Sequence, residues 1–422
     1  MRDVYVVGAG ESAFGSFPDE TDRSLFRTAY ERAAASVPAG IERDEIDEAA
    51  IGTLGVGGRQ IGLSGPAITE SLGLDGTPVT RVENACAAGG FAVRAAARAI
   101  RAGEADVALA GGVEVMTDTS DDVTRYWLGV SGETEWERLS GTTFAGVYAQ
   151  MASARADRYG TTVDDLSRVA VKNHRHGARN PDAQLRFECS VEDARTAPTV
   201  ADPLTLYHCC PTTDGAAAVV LAGEEVAFEY ADHPVRIAGV GAASDHVGLF
   251  RRDTYTGVPA SRRAADRAYD AAGVDPTALD LAEVHDCFSI AELLAYEDLR
   301  LCERGMAGEF LAAGATERDG DCPVNLSGGL ESKGHPIGAT GAGQIVEVTD
   351  HLTGRAGDRT LPGAEVGLTH SVGGSGGAAV VHILEWAGDD AGPAATDGGH
   401  PGRVGVPNAN DPRDSPTRGD GS

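Results

Sequence analysis

Lysine is almost missing from this chain. In 422 residues it occurs only at Lys172 and Lys333, so nearly all the positive charge is arginine. Asp and Glu outnumber Lys and Arg by 64 to 35, a net charge of −29, and a surface of that sign repels nucleic acid and acidic membranes. The acidic residues are spread along the chain rather than blocked, which separates it from an acidic disordered protein. They read as adaptation to a high-salt cytoplasm, where screening suppresses self-repulsion. No apolar run reaches the roughly 18 residues that a membrane-spanning helix needs. Seven cysteines form no CxxC or Cys/His spacing, so no metal site is expected and free thiols in a reducing cytosol fit better. The first residues run into a strand, Asp3 to Val7, with no basic-then-apolar leader.

What is present is an alternation of strands and small-residue helices, the pattern of an α/β fold. Val4 to Val7 predicts a strand turning at Gly8-Ala-Gly10. The two glycines open like a dinucleotide fingerprint, but Ala13 stands where the third is required, and the match is weak. Helices are expected over Ser24–Val37 and Gly65–Leu72, and strands over Ala49–Val56, Pro78–Val82 and Asp106–Ala110. From 118 to 211 the texture becomes more aromatic and polar, with helices over Phe144–Arg158 and Val163–Gly177, as in an inserted loop or lid. Strand character returns at Gly215–Leu221. Residues 233–386 then repeat the order of the first half, which points to duplication and a pseudo-two-fold sandwich. Beyond 386 the chain is Gly, Asp, Pro, Asn and Ser without periodicity, and residues 387–422 are expected to be disordered. The domain reading is therefore 1–117 with 212–232 as one half, 118–211 as the insertion, and 233–386 as the second half.

One stretch organises the rest: Val82-Glu-Asn-Ala-Cys86-Ala-Ala-Gly-Gly90, opening an Ala/Gly helix. Such a helix suits the middle of a protein, where other backbones approach closely. A thiol at its first turn meets the positive end of the dipole and unbonded amides, both of which favour the thiolate. Alone, such a cysteine could as well fill space. Three further stretches place a His or Cys where a strand ends or a glycine turn begins: His285-Asp286-Cys287-Phe288, Gly334-His335-Pro336-Ile337-Gly338-Ala339-Thr340-Gly341, and His370-Ser371-Val372-Gly373-Gly374. Their convergence across a duplicated fold favours an active site.

These motifs resemble those of the thiolase family over about residues 3–386, in particular its archaeal acetyl-CoA acetyltransferase and sterol-carrier branch. NACAAGG around Cys86, HDCF at 285–288 and GHPIGATG at 334–341 carry the resemblance, with support from GGVEVMT at 111–117 and TDGAAAVV at 213–220. It implies a five-layered α/β/α/β/α sandwich and reversible Claisen condensation of two acyl-CoA, acetyl-CoA giving acetoacetyl-CoA and coenzyme A. Cys86 would carry the acyl group and His335 would deprotonate it. Cys287 would take the α-proton of the second acyl-CoA, with His370 the alternative base. His285 would hold a water or thioester oxygen, and the backbone amides of Cys86 and Val372 would form an oxyanion hole. Most thiolases have Asn-Glu-Ala-Phe where this chain has HDCF, and Cys-x-Gly where it has His370-Ser371-Val372. No cofactor is implied beyond coenzyme A thioesters as substrates. Arg175, Arg179 and Arg186 of the insertion would meet coenzyme A, unless they form a solvated helix face. The resemblance further implies a cytoplasmic homodimer or homotetramer. It also implies a possible complex with 3-hydroxy-3-methylglutaryl-CoA synthase and a zinc-ribbon/OB-fold bridging protein. Related condensing enzymes of the 3-hydroxy-3-methylglutaryl-CoA synthase or 3-ketoacyl synthase type and a non-catalytic acyl-CoA-binding scaffold are the competing readings.

Overall fold

A computed structural model describes residues 2–388, so the expectation for 387–422 falls, from residue 389 on, outside the described residues. The strands are β1 (Val4–Glu11), β2 (Glu48–Gly52), β3 (Val79–Val82), β4 (Val107–Glu114), β5 (Thr199–Ala201), β6 (Leu204–Thr205), β7 (Gly215–Gly223), β8 (Val235–Ser244), β9 (Leu281–Glu283), β10 (Val366–Gly373) and β11 (Ala378–Trp386). Nine of them form one sheet in the order β3-β2-β4-β7-β1-β8-β11-β10-β9. The sheet is two half-sheets sewn together by a short antiparallel contact, in which Tyr5 faces Arg236 and Val6 faces Val235.

The pairings repeat. In the first half β2 lies parallel to β4, β4 antiparallel to β7, and β7 antiparallel to β1. In the second half β9 lies parallel to β10, β10 antiparallel to β11, and β11 antiparallel to β8. Even β3, parallel to β2, has its counterpart in a parallel bridge between Ala282 and Val324.

Between the half-sheets lie two helices, Ala88–Ala102 and Thr340–Leu352, here the first and second central helices. Their Ala92, Val93, Ala96, Ile345 and Val348 are buried with the inner faces of both half-sheets. The outer face of the first half packs Phe26 and Tyr30 of the Asp22–Ala35 helix on Ile51, Leu109 and Val220. The outer face of the second packs Ala264 and Ala268 of the Pro259–Ala272 helix with Leu293 and Tyr296 of the Ser289–Asp298 helix. The result is helix, sheet, helices, sheet, helix: the five-layered α/β sandwich.

Small residues set the spacing of the middle layer. A Cβ on Gly89 would stand 2.6 Å from the Gly338 carbonyl oxygen, and one on Gly341 would stand 2.4 Å from the Gly90 nitrogen. The central helices therefore touch backbone to backbone at their N-terminal ends, which fixes both ends beside one pocket.

Gly8 and Gly10 prove to have a packing role. Strand β1 continues through them to Glu11, with a register irregularity between Val6 and Gly8. Cβ atoms there would meet the Ala33 carbonyl oxygen at 2.7 Å and the Ala33 nitrogen at 2.3 Å. The pair lets the Asp22–Ala35 helix lie against the strand, in place of the expected turn. The segment 118–211 has no core of its own. Tyr148 and Met151 of its Phe144–Tyr159 helix and Leu166 of its Val163–Gly177 helix join the outer core of the second half.

Both lysines are interior. Lys172 is fully buried and donates to Glu292 at 2.9 Å and to the Val324 carbonyl at 2.9 Å. Lys333 pairs with Glu11 at 2.8 Å and lies 5.0 Å from the Phe14 ring centroid. The scarcity of lysine is thus a property of the surface. No helix among the described residues is long and apolar enough to cross a membrane.

Candidate active site

Cys86 is presented by a strained turn. Strand β3 runs into Glu83-Asn84, and Ala85 then adopts φ 49°, a conformation that side chains resist. Its amide is held by the Glu83 carboxylate at 2.6 Å. One 3₁₀ turn, Ala85–Ala87, carries Cys86 into the first central helix. Cys86 lies against Leu54, Val56, Met116 and Ile337, with Trp127 and Leu128 beside them. The Gly374 amide donates to its sulfur, but burial outweighs that bond and pushes the thiol up to about 12. This corrects the expectation from the helix end: in the resting site Cys86 is a thiol, because the cost of desolvating a thiolate exceeds what dipole and amide return.

His335 sits in the loop that precedes the second central helix. Its amide donates to Thr213 Oγ1 at 3.0 Å, and its Nδ1 lies 2.7 Å from Thr340 Oγ1. The Thr340 hydroxyl spends its own proton on the Pro336 carbonyl at 3.0 Å. Thr340 Oγ1 is therefore the acceptor, the proton is assigned to Nδ1, and Nε2 is left as a bare lone pair. Nε2 is buried without a protein partner, and burial lowers the imidazole to about 3, which keeps it neutral. The His285 ring meets that of His335 edge to face, centroids 5.1 Å apart at 83°. Both His285 nitrogens are buried and unpartnered. Burial, and then the nearby His335 and His370, depress its protonation far below the ordinary range.

Ligand atoms of Cys86, His285 and His335 all lie within 4.8 Å of one another. One sulfur and two neutral imidazoles, drawn from three distant parts of the chain, can pass a proton or grip a polarised oxygen. They are also the one cluster among the described residues whose donors could hold a metal ion, a convergence that no sequence spacing displays.

Cys287 and His370 border this trio. Cys287 is buried, and burial followed by the field of Cys86 raises its thiol well above the usual range, while the Tyr148 side chain opposes the shift. His370 lies on β10 with Nε2 2.8 Å from Ser261 Oγ on the Pro259–Ala272 helix. Its Nδ1 is buried without a partner, and burial lowers the ring to about 3. The Val372 side chain is buried in the outer core of the second half. The amide that reaches the Cys86 sulfur belongs to Gly374, two residues further along the β10–β11 turn.

The surrounding carboxylates were not among the expected site residues. Glu114, at the end of β4, accepts the amides of Gly55 and Val56 at 2.8 Å, Leu54 at 3.0 Å and Gly338 at 3.1 Å. It ties the loop under Cys86 to the loop of His335, and burial raises its carboxyl to about 7. Its signal was an acid inside an otherwise apolar glycine strand. Asp286 anchors the loop between His285 and Cys287, accepting the Leu330 amide at 2.7 Å and Asn173 Nδ2 at 2.8 Å. Asn173 also donates to Glu292 at 2.7 Å, the partner of Lys172.

Of the three insertion arginines, Arg175 is paired with Glu317 at 2.7 Å. Arg179 and Arg186 are exposed. Arg186 stands two residues after Gln184, whose amide donates at 3.0 Å to the carbonyl of Lys333, next to the His335 loop.

Comparison with known proteins agrees over both halves. The family model described as thiolase, N-terminal domain, matches residues 4–225, and thiolase C-terminal domain-like matches 241–386. An acetyl-CoA acetyltransferase of Methanothermobacter thermautotrophicus is 42% identical over 91% of this chain and 100% of its own length. Sterol carrier protein 2 of Bos taurus is 35% identical over 90% of this chain and 72% of that protein. Among solved structures, an Ltp2-ChsH2(DUF35) aldolase aligns with TM-score 0.79 at 25% identity, covering 92% of this chain and 98% of the other. Human mitochondrial 3-ketoacyl-CoA thiolase in complex with CoA aligns with TM-score 0.71 at 20% identity, covering 91% and 98%, a likeness of fold alone.

Proposed function

The chain belongs to the thiolase family, and on that footing we infer that it is an acyltransferase. It makes and breaks a carbon–carbon bond between the acyl groups of two coenzyme A thioesters through an acyl-Cys86 intermediate. The observation that carries this reading is the meeting of the Cys86 sulfur with the nitrogens of His335 and His285 within 4.8 Å. A thiol beside a neutral imidazole calls for general-base activation: the proton leaves sulfur as the thioester carbonyl is attacked, and no thiolate need stand ready. His335 Nε2 takes that proton and returns it to the departing coenzyme A sulfur. His285 then holds the thioester oxygen of the second substrate while its enolate develops, Cys287 removes the α-proton, and His370 stands in reserve as the alternative base. The thioester supplies the activation, so no external cofactor enters the scheme.

Acetyl-CoA as substrate is supported by the 42% identical relative bearing the name acetyl-CoA acetyltransferase. Assembly with a partner is supported by the two-component name of the Ltp2-ChsH2(DUF35) aldolase. For this chain the partners would be further copies of itself, together with a 3-hydroxy-3-methylglutaryl-CoA synthase and a bridging protein. Arg179 and Arg186 offer exposed cations for coenzyme A on a protein that is otherwise acidic. A salt-rich, reducing cytoplasm is supported by the net charge of −29 and by seven free cysteines.

The test is cleavage of acetoacetyl-CoA by free coenzyme A, followed as loss of its enolate absorbance, with intact-protein mass spectrometry for an acetyl group on Cys86. Both signals are expected at high salt. An unlabelled Cys86, with no cleavage even beside co-purified partners, would overturn the reading.

A further inference from the structure

The two thiols of the site stand on different loops, and one buried side chain touches both loops. Tyr148, on the Phe144–Tyr159 helix of the insertion, is 1% exposed. Its ring stacks on Phe288, the residue after Cys287, with centroids 4.6 Å apart at 27°. Its hydroxyl donates to the Gly374 carbonyl at 3.2 Å, and the Gly374 amide is the donor to the Cys86 sulfur. The same hydroxyl lies close enough to the Cys287 side chain for each to act on the other's protonation. Gly374 itself is pinned, with φ 60°, and a Cβ there would stand 2.5 Å from the Ser131 carbonyl oxygen. One phenol therefore spans the peptide over the first thiol and the side chain of the second.

We propose that Tyr148 is a positioning residue for the condensation half-reaction, its hydroxyl proton alternating between the Gly374 carbonyl and the Cys287 sulfur. The proposal rests on the thiolase reading above with Cys287 as the second base.

The proton count explains why such a donor is needed. In the first half-reaction the Cys86 thiol proton passes through His335 to the leaving coenzyme A sulfur. In the second, the Cys287 thiolate takes an α-proton from acetyl-CoA, and the resulting carbanion attacks the acetyl carbonyl on Cys86. The carbon–carbon bond forms, the carbon–sulfur bond to Cys86 breaks, and the proton on Cys287 passes to the Cys86 sulfur. Cys287 is thus a thiolate before the α-proton transfer and again once the Cys86 sulfur is protonated. Because burial keeps it a thiol at rest, its own proton passes first to a neutral imidazole with an unpartnered nitrogen, His285 or His370, and returns to it at the end. Burial makes that thiolate costly, the carboxyls of Asp286 and Glu331 add to the cost, and Cys210 is close enough to interact with it. Arg252 is the cation near Tyr148. Tyr148 is the neutral donor that counters them. When Cys287 carries its proton, the phenol turns back to the Gly374 carbonyl and holds the turn over Cys86.

Tyr148→Phe keeps the ring stack and removes only the proton. The expected result is normal acetylation of Cys86 and an unchanged KM for acetyl-CoA. The kcat of condensation should fall about 10- to 100-fold at neutral pH, with the pH–rate profile moved to the alkaline side by about one unit. Equal losses in both half-reactions would mark a merely structural residue and overturn the proposal, as would an unchanged kcat and pH profile. Cys287→Ala measured alongside separates the failures: full condensation without Cys287 removes the ground for Tyr148 but leaves acyl-Cys86 chemistry standing. Absence of acetyl transfer to the wild-type Cys86 sinks the thiolase reading itself.

Discussion

Each half of the molecule contributes one small-residue helix to the middle layer, but the two copies deliver different chemistry at its N-terminal end. The first half delivers Cys86 on a strained turn, with a backbone frame gathered by Glu114. The second delivers His335 before its central helix, and around it His285 and Cys287 from the loop after β9 and His370 from within β10. Contact between Gly89 and Gly338 brings the two helix ends to one pocket. Duplication thus supplies two similar platforms, and in the proposed function the difference between them separates the atom that would hold the acyl group from the groups that would move protons.

The sharpest way to break this division is to remove its first side. Cys86→Ala should abolish thiolysis by on the order of 10⁴-fold or more, because no other group on that platform can form the acyl-enzyme. It should do so with the fold intact, since a half-buried Cys86 leaves only a small void. Circular dichroism and acetoacetyl-CoA cleavage together check this. Removing the central base of the second side costs less. His335→Ala is expected to slow acetylation of Cys86 by about 10²- to 10⁴-fold, the usual range for one proton-transfer group. Single-turnover mass spectrometry reads it directly, and wild-type acetylation would return the base role to His285.

Within the second half the comparison sharpens further. Cys287→Ala should leave Cys86 acetylation detectable while stopping condensation, whereas His370→Ala should retain most of both. The structure supplies a reason to expect that order: His370 spends Nε2 on Ser261 Oγ, while the Cys287 loop stands beside Cys86 and Tyr148. If His370→Ala instead stops condensation and Cys287→Ala does not, the base assignment reverses.

The fold was legible because its signals are periodic and repeated. The helix expected over Val163–Gly177 is observed over those residues, with Thr162 capping its start. Strand ends near glycine fall elsewhere than expected, since Gly8 and Gly10 let a helix pack against β1, while Gly111 lies against the backbone of β7 and Gly112 against the Gly338 carbonyl of the His335 loop. Residue type and motif named side chains that the fold brings together, Cys86, His285 and His335. Their protonation was not readable, because it depends on how much water the assembled pocket excludes, and a helix end by itself argued for the wrong state of Cys86. Glu114, Thr340 and Tyr148 escaped notice for a related reason: each acts through a single backbone or side-chain contact made only when distant segments meet.

Thr340 carries the smallest and most specific test of how the second platform is prepared. Its hydroxyl accepts from His335 Nδ1 at 2.7 Å because its own proton is committed to the Pro336 carbonyl. Thr340→Val keeps the volume but leaves Nδ1–H facing a methyl group, and burying an unpaired donor costs about 1–3 kcal/mol. The ring can avoid that cost by moving its proton to Nε2, the nitrogen turned towards Cys86, where it no longer accepts the thiol proton. The expected outcome is roughly a 10-fold slower acetylation of Cys86 with unchanged affinity for acetyl-CoA, and recovery in Thr340→Ser, which restores the hydroxyl. A Thr340→Val protein as fast as Thr340→Ser would mean that the tautomer is held by something other than this hydroxyl. The bare lone pair on Nε2 would then have to be set by substrate rather than by the second central helix.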